Sequence, residues 1–473
     1  MATSNLTTPG VYIQEISTLP PSIAPVATAI PAFIGYTESG IAFSPKRISS
    51  MIEFEANFGG PAPQIFDIDI IDTPVSGALI SRTFTAQFSS GFPNEFLLYQ
   101  SMQFYFANGG GPCYVVSAGD YSSSPDYLTQ IKTALDALEK EDEPTLILAP
   151  DMVGTTLASS YGTYVQDVLK QCNKLQDRFG IFDYPANSLD FSSGGDIETY
   201  RSDMGTNSLK YGASYMPFLN TIFKYGVDEA SSTIASYNGS DAAITALVGA
   251  SLDDGSTSDV KTLNFPIYQQ ILSNISNSFS LTLPPSAGMA GIYAATDNDR
   301  GVWKAPANVS VNSITGPSLA ITESQQGLLN VDATSGKSIN AIRSFVGRGT
   351  IVWGSRTLDG NSNEWRYVPV RRLFIFVEES TKKATEAVVF EPNDKNTWLR
   401  VKAMISSFLT DLWKQGALAG DKPDQAFFVK VGLNETMTAQ DILEGKLIVT
   451  IGMAAVRPAE FIVLQFMHKL QEA

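Results

Sequence analysis

The stretch TLILAPDMVGTTLASSYGTYVQDVLKQCNKLQDRFGIFDY, Thr145–Tyr184, decides the fold class. Thr145–Ala149 is a continuous apolar run stopped by Pro150, short enough for a fully buried strand. Tyr161–Phe179 sets Tyr164, Val165, Val168 and Leu175 at helical spacing. Gly180 is expected to end that helix, and Ile181–Tyr184 to begin the next strand. Working outward, Asp126–Lys140 reads as a helix with Ile131, Leu135 and Leu138 on one side, and Cys113–Val116 and Phe33–Tyr36 read as further buried strands. Residues 94–108 read as a helix capped by Asn94 and ended by Gly109-Gly110-Gly111. Apolar strands separated by helices predict a parallel sheet with right-handed crossovers, so the class is α/β.

The last third mixes the same parts. Val370–Thr385 and Asn396–Gln415 read as helices, the second carrying Leu399, Met404, Phe408, Leu409 and Leu412. Val388–Phe390, Phe427–Val431 and Leu447–Met453 read as strands, with a capping box from Thr438 to Asp441. Between Asn187 and Pro284 the character changes. Asp228 to Val260 holds six acids and no Lys or Arg among Ser, Asn, Gly and Thr, which predicts a solvent-facing insert.

Both ends carry an isolated apolar strand. Near the start, Val11 and Ile13 alternate with Tyr12 and Gln14, and Leu19–Pro25 then holds the chain extended. Near the end, Arg457-Pro458 breaks the chain before Ala459–Phe466, apolar on both faces at Phe461, Ile462, Val463 and Leu464. A strand with no neighbour in sequence either tucks back or joins another chain's sheet edge, for which Phe427, Phe428, Val429, Leu447, Val449 and Ile451 offer two receiving strands.

Composition excludes several function classes. The 473 residues, 44% hydrophobic, suffice for two or three domains. The net charge is 32 − 48 = −16, which opposes binding to nucleic acid. Charged residues make up only 17%, below the usual ~25%, so much of the surface is neutral or covered. The lone His468 sits five residues from the C-terminus, which nearly rules out His-based triads and multi-His metal sites. Cys113 and Cys172 lie far apart without a CxxC and read as buried small hydrophobes. No GxSxG or HExxH occurs, the glycine triplet lacks a following Lys-Ser/Thr, Asp67/Asp69 reads as solvated loop residues, and Asp297–Arg300 reads as a salt-bridged turn. No catalytic, cofactor or metal site is therefore expected. MATSNLTTPG lacks a basic and an apolar signal region, which implies synthesis in the cytoplasm, and apolar runs such as Leu447–Val456 are too short to enter a membrane as a span. Two competing readings are an acidic α/β-hydrolase-like enzyme and a carbohydrate-binding adhesin.

Several segments resemble the tail sheath proteins of contractile phages and phage-tail-like injection systems. TTPGVYIQEIS (Thr7–Ser17), KRISSMIEFEANFGG (Lys46–Gly60) and FANGGGPCYVV (Phe106–Val116) are similar to that family in order and spacing. So are AGIYAATDNDRGVWKAPANVSV (Ala290–Val311), GRGTIVWGSRTL (Gly347–Leu358), RRLFIFVEEST (Arg371–Thr381), VVFEPNDKNTW (Val388–Trp398), AFFVKVG (Ala426–Gly432) and RPAEFIVLQF (Arg457–Phe466). The resemblance implies a structural subunit that forms six-fold rings, stacked helically around an inner tube, with baseplate and terminal cap proteins as further partners. It implies an N-terminal arm over 1–22, an outer domain over 23–340 with an insert at about 187–284, an inner tube-facing domain over 341–456, and a C-terminal arm over 457–473. The arms would complete β-sheets on neighbouring subunits, and the particle would be a phage tail or a tail-like device. Charge sharpens the placement: residues 341–473 hold 17 Lys+Arg and 15 Asp+Glu, net +2, while 1–340 hold 15 and 33, net −18. Lys395, Arg400, Lys402 and Lys414 are then expected to face an acidic tube, the alternative being a solvated helix face.

Overall fold

In the computed structural model, residues 23–74, 80–89 and 95–465 are described. The proposed N-terminal strand with Val11, Tyr12 and Ile13, the expected cap Asn94 and His468 fall outside them.

An eight-stranded sheet forms the centre of the main body. Its order is Gly349–Val352, Ile339–Phe345, Gly212–Met216, Phe179–Asp183, Leu146–Leu148, Pro31–Thr37, Cys113–Asp120 and Lys46–Ile48. The six inner strands run parallel, and the two edge strands are antiparallel. Pro31–Thr37 is buried along its whole length because helices cover both faces of a parallel sheet, which explains its unbroken apolar run. Both cysteines lie in this core, and burial raises both thiols.

Several local expectations need correction. The helix Tyr161–Leu175 stops at Gln176, whose φ of 63° is left-handed, so Gly180 is not its terminator. Gly180 pairs with Gly212 inside the sheet. The Phe182 ring folds over both: a Cβ on Gly180 would meet it at 2.4 Å and one on Gly212 at 2.5 Å. The helix expected over 126–140 opens with a π turn, Tyr127–Ile131, before the α-helix Lys132–Leu138; Asp126 caps it through Leu128 N at 3.2 Å and Thr129 N at 3.3 Å. Asp297–Arg300 is salt-bridged as expected but is not a separate loop turn. It is the last turn of the helix Ser286–Arg300, and Asp297 takes two bonds from the buried Arg372, at 2.9 and 2.5 Å.

The region from Asn187 to Pro284 is not one insert. Gly212–Met216 is an inner strand of the main sheet, and Ile197, Tyr200, Met204 and Tyr211 belong to the main core. The rest builds a second, smaller core with a segment far earlier in the chain. Thr233–Asn238 pairs with Phe66–Pro74, which pairs with Ile80–Phe88. The helix Phe265–Ser278 contributes Ile267, Tyr268, Ile271 and Ile275 to a cluster with Phe66, Ile68 and Ile70. Asp67 and Asp69 therefore alternate with buried Ile and Phe on a strand and do not sit in a loop.

The chain divides into two compact units. One is Val26–Glu379 with the chain from Arg457 onward; the other is Ser380–Val456 with the chain up to Pro25. The division falls inside the helix Val368–Thr385, so residues 341–379 belong with the sheet body and not with the C-terminal unit.

Candidate assembly surface

The smaller unit is built on the helix Lys395–Lys414. Asp394 caps it by accepting from Asn396 N and Thr397 N, both at 2.9 Å. Val401, Met404, Ile405, Phe408, Leu409 and Leu412 form its buried face. Lys395 and Lys402 are about two turns apart and share one flank of that face; Arg400 and Lys414, about four turns apart, share the other. The four cations therefore do not form a single stripe. Arg400 pairs with Glu391 at 3.0 Å and Lys414 with Asp411 at 3.5 Å. Lys395 and Lys402 have no ion pair among the described residues.

Phe427–Lys430 and Thr450–Met453 pair antiparallel with each other, Val429 opposite Ile451 and Phe428 opposite Gly452. The exposed Phe428 ring lies over Gly452, where a Cβ would meet it at 2.2 Å unless the ring swung away. Leu447 and Val449, expected in the second strand, precede it. The capping box is present: Thr438 and Asp441 satisfy each other's backbone at the start of the helix Ala439–Leu443. Among the described residues this sheet has two strands, so each has one side without a strand partner. Val388–Phe390 is not a strand: Glu386–Val388 is a 3-10 turn, and Phe390 has φ 69° and a fully exposed ring.

In the larger unit, the C-terminal segment leaves the body from a fixed point. Arg356 donates to Glu460 through Nε at 2.9 Å and Nη2 at 2.7 Å. Asn330 Nδ2 adds a bond at 2.7 Å and the Tyr367 hydroxyl one at 2.9 Å. Burial raises the Glu460 carboxyl, and these four donors more than offset that and hold it below its ordinary range. Immediately beyond, Phe461, Ile462, Val463 and Leu464 are 70, 78, 80 and 72% exposed. They form no strand, and among the described residues no other segment pairs with their backbone. The anchor Glu460 was not visible in sequence; an acid just before an apolar run was the only signal.

No group of His, Cys, Asp or Glu among the described residues is placed to hold a metal ion, and no helix among them is long and apolar enough to cross a membrane. Two fully buried acids with raised pKa are structural caps. Asp151 accepts from Tyr36 N and Leu97 N, both at 2.7 Å, at the start of the helix Leu98–Ala107. Asp183 accepts from Ser286 N at 2.7 Å at the start of the helix Ser286–Arg300. Burial pushes each carboxyl up to about 7.

Comparison with known proteins agrees with this architecture. Residues 361–468 match the phage tail sheath C-terminal domain. Over 99% of its length the chain is 31% identical to the sheath of an extracellular contractile injection system, the PVC sheath complex in its contracted state, covering 99% of that chain with a TM-score of 0.63. The chain belongs to the contractile sheath family. The helical sheath of the anti-feeding prophage in its contracted state matches at 30% identity and a TM-score of 0.65, over 98% of this chain and 99% of that one. The tail sheath protein of Vibrio phage KVP40 is 24% identical over 192 residues, which is 40% of this chain and 27% of the phage protein. The likeness to the injection-system sheaths thus runs nearly end to end, the second core included, while the phage relative shares only part of its length.

Proposed function

We propose that this chain is the repeating structural subunit of a contractile sheath. Six copies form a ring, rings stack helically around an inner tube, and baseplate and terminal cap proteins close the ends. Shortening of the sheath drives the tube through a target envelope. The observation that carries this reading is the fixed Glu460 followed by four exposed apolar residues, in a chain that also has a two-stranded sheet with unpaired sides. Phe461–Leu464 and Val11–Ile13 act as donated strands, and Phe427, Phe428, Val429 and Ile451 mark the receiving sheet. Main-chain bonds of that kind survive rigid rotation of the subunits they join. The energy of contraction comes from surfaces that are apart in the extended sheath and buried in the contracted one, so the extended form is kinetically trapped. The subunit is made in the cytoplasm and assembled into a phage tail or tail-like particle.

Negative-stain microscopy of the purified chain, alone and with its tube protein, tests the reading. Hollow striated tubes are expected, and uniform monomers under all assembly conditions overturn it. Deleting residues 1–18 should abolish polymerisation while the core stays folded.

A further inference from the structure

The strands Ile339–Phe345 and Gly349–Val352 form a hairpin at the edge of the main sheet, closed by Val346, Gly347 and Arg348. Val346, at the tip, is fully exposed, which is unfavourable for a branched apolar side chain in water. Behind it Phe345 and Trp353 pack with ring centroids 4.9 Å apart. Two guanidinium groups lie over this pair: Arg343 is 5.2 Å from the Phe345 centroid, and Arg348 is 5.5 Å from that of Trp353. Arg343 bonds the neutral Gln326 and Arg348 the neutral Asn308. Among the described residues neither has a carboxylate at ion-pair distance, whereas Arg178, Arg356, Arg371 and Arg372 of the same unit each hold one. An exposed apolar tip with Trp, Phe and two unneutralised Arg has the composition of a binding hot spot.

Its complement is present on the same chain. Asp228 to Val260 has six acids and no Lys or Arg. Asp254 is exposed there and Asp228 half-buried, beside Glu229 and Asp253, which bond main chain to main chain at 3.0 Å; Asp253 pairs with Lys261 and Asp241 with Arg82, while Asp259 is buried as the cap of the helix Val260–Leu263.

We infer that the 343–353 hairpin is a docking knob for a second copy of this chain and seats against the acidic 228–254 surface of that copy. The inference rests on the sheath reading and deepens it by naming a contact independent of the terminal arms.

The test places a photo-crosslinking amino acid at position 346 in sheaths grown on tubes. Adducts between two subunits, mapping to residues 228–254, are expected. Their yield should fall about tenfold in R343E/R348E and recover when the same chain also carries D228K/D254K, a loss equivalent to ~1.4 kcal/mol. Sheaths that form without adducts, or with adducts on the tube protein or on another stretch of the neighbour, overturn the inference and leave the sheath reading intact. A wild-type chain that never polymerises overturns both.

Discussion

Asp151 and Asp183 follow or end adjacent strands of the main sheet, and each carboxylate closes the N-terminus of a helix that packs on that sheet. The caps satisfy backbone N–H groups that would otherwise be buried without partners. Removing the carboxylates from water also has a cost, which sets a pH dependence. Both titrate near 7 in the folded chain against an ordinary 3.8, so between those values the folded state holds the extra protons. Their contribution to stability therefore falls as pH rises through 7 and is regained as pH is lowered toward 4. Calorimetry should show a higher unfolding midpoint at pH 5.5 than at pH 8. Asp183→Asn keeps an oxygen for Ser286 N and loses the buried charge, so its midpoint should change less between those two pH values; an unchanged slope refutes the assignment. Glu460 is the opposite case, a carboxyl held low by its donors. Glu460→Ala leaves Arg356 buried with an unmatched guanidinium and should cost about 2–4 kcal/mol in urea unfolding. A loss under ~0.5 kcal/mol, typical of an exposed ion pair, would show the clamp to be incidental.

At the scale of elements, the arm makes a sharper test than the core does. Ile462→Asp with Val463→Asp alters side chains that are 78 and 80% exposed, so the isolated chain should unfold at the wild-type midpoint. Sheath formation should nevertheless be lost, because two charges cannot enter a sheet packed against a neighbour. Wild-type assembly from this variant would sink strand donation by the C-terminal arm. The elements legible in sequence are those whose cause is local. The buried strand around Phe33, the helix over 395–414 and the Thr438–Asp441 capping box are written in periodicity and caps. The misread elements have distant causes. Gly180 looks like a helix stop, yet its reason is a Phe182 ring shared with Gly212. The strand Gly212–Met216 lies in a stretch read as an insert, because its partners Phe179–Asp183 and Ile339–Phe345 flank that stretch in sequence. Asp67 and Asp69 look like loop acids, since only their pairing to both 233–238 and 80–88 makes that segment the middle strand of a second core. The exposed apolar run Phe461–Leu464 was legible in sequence, whereas the clamp just before it joins Glu460 to residues from about 93 to 130 positions earlier.

For the whole molecule, the charge is divided more cleanly than the sequence boundary at 341 implies. Ser380–Val456 holds 9 Lys+Arg and 9 Asp+Glu, a net of 0, so the rest of the chain carries 23 − 39 = −16. A segment of zero net charge cannot be drawn to an acidic tube by net charge, and any attraction must come from how its charges are arranged. On the long helix Glu391 and Asp411 answer Arg400 and Lys414, while Lys395 and Lys402 stand on the other flank without an ion pair among the described residues. At physiological salt, screening acts over about 8 Å, so only cations within a side chain's length of the tube contribute much. If the helix faces an acidic tube, the unanswered flank is the one that meets it. Co-sedimentation with preformed tubes distinguishes the flanks: K395E/K402E should weaken tube binding about tenfold at 0.15 M salt, a change of ~1.4 kcal/mol, and the defect should shrink as salt is raised. R400E/K414E places acids beside Glu391 and Asp411, already exposed to water, and should weaken binding by less than about threefold. Equal losses from the two pairs would mean that the helix meets the tube along its whole outer face, and no loss from either would leave the four cations as a solvated surface.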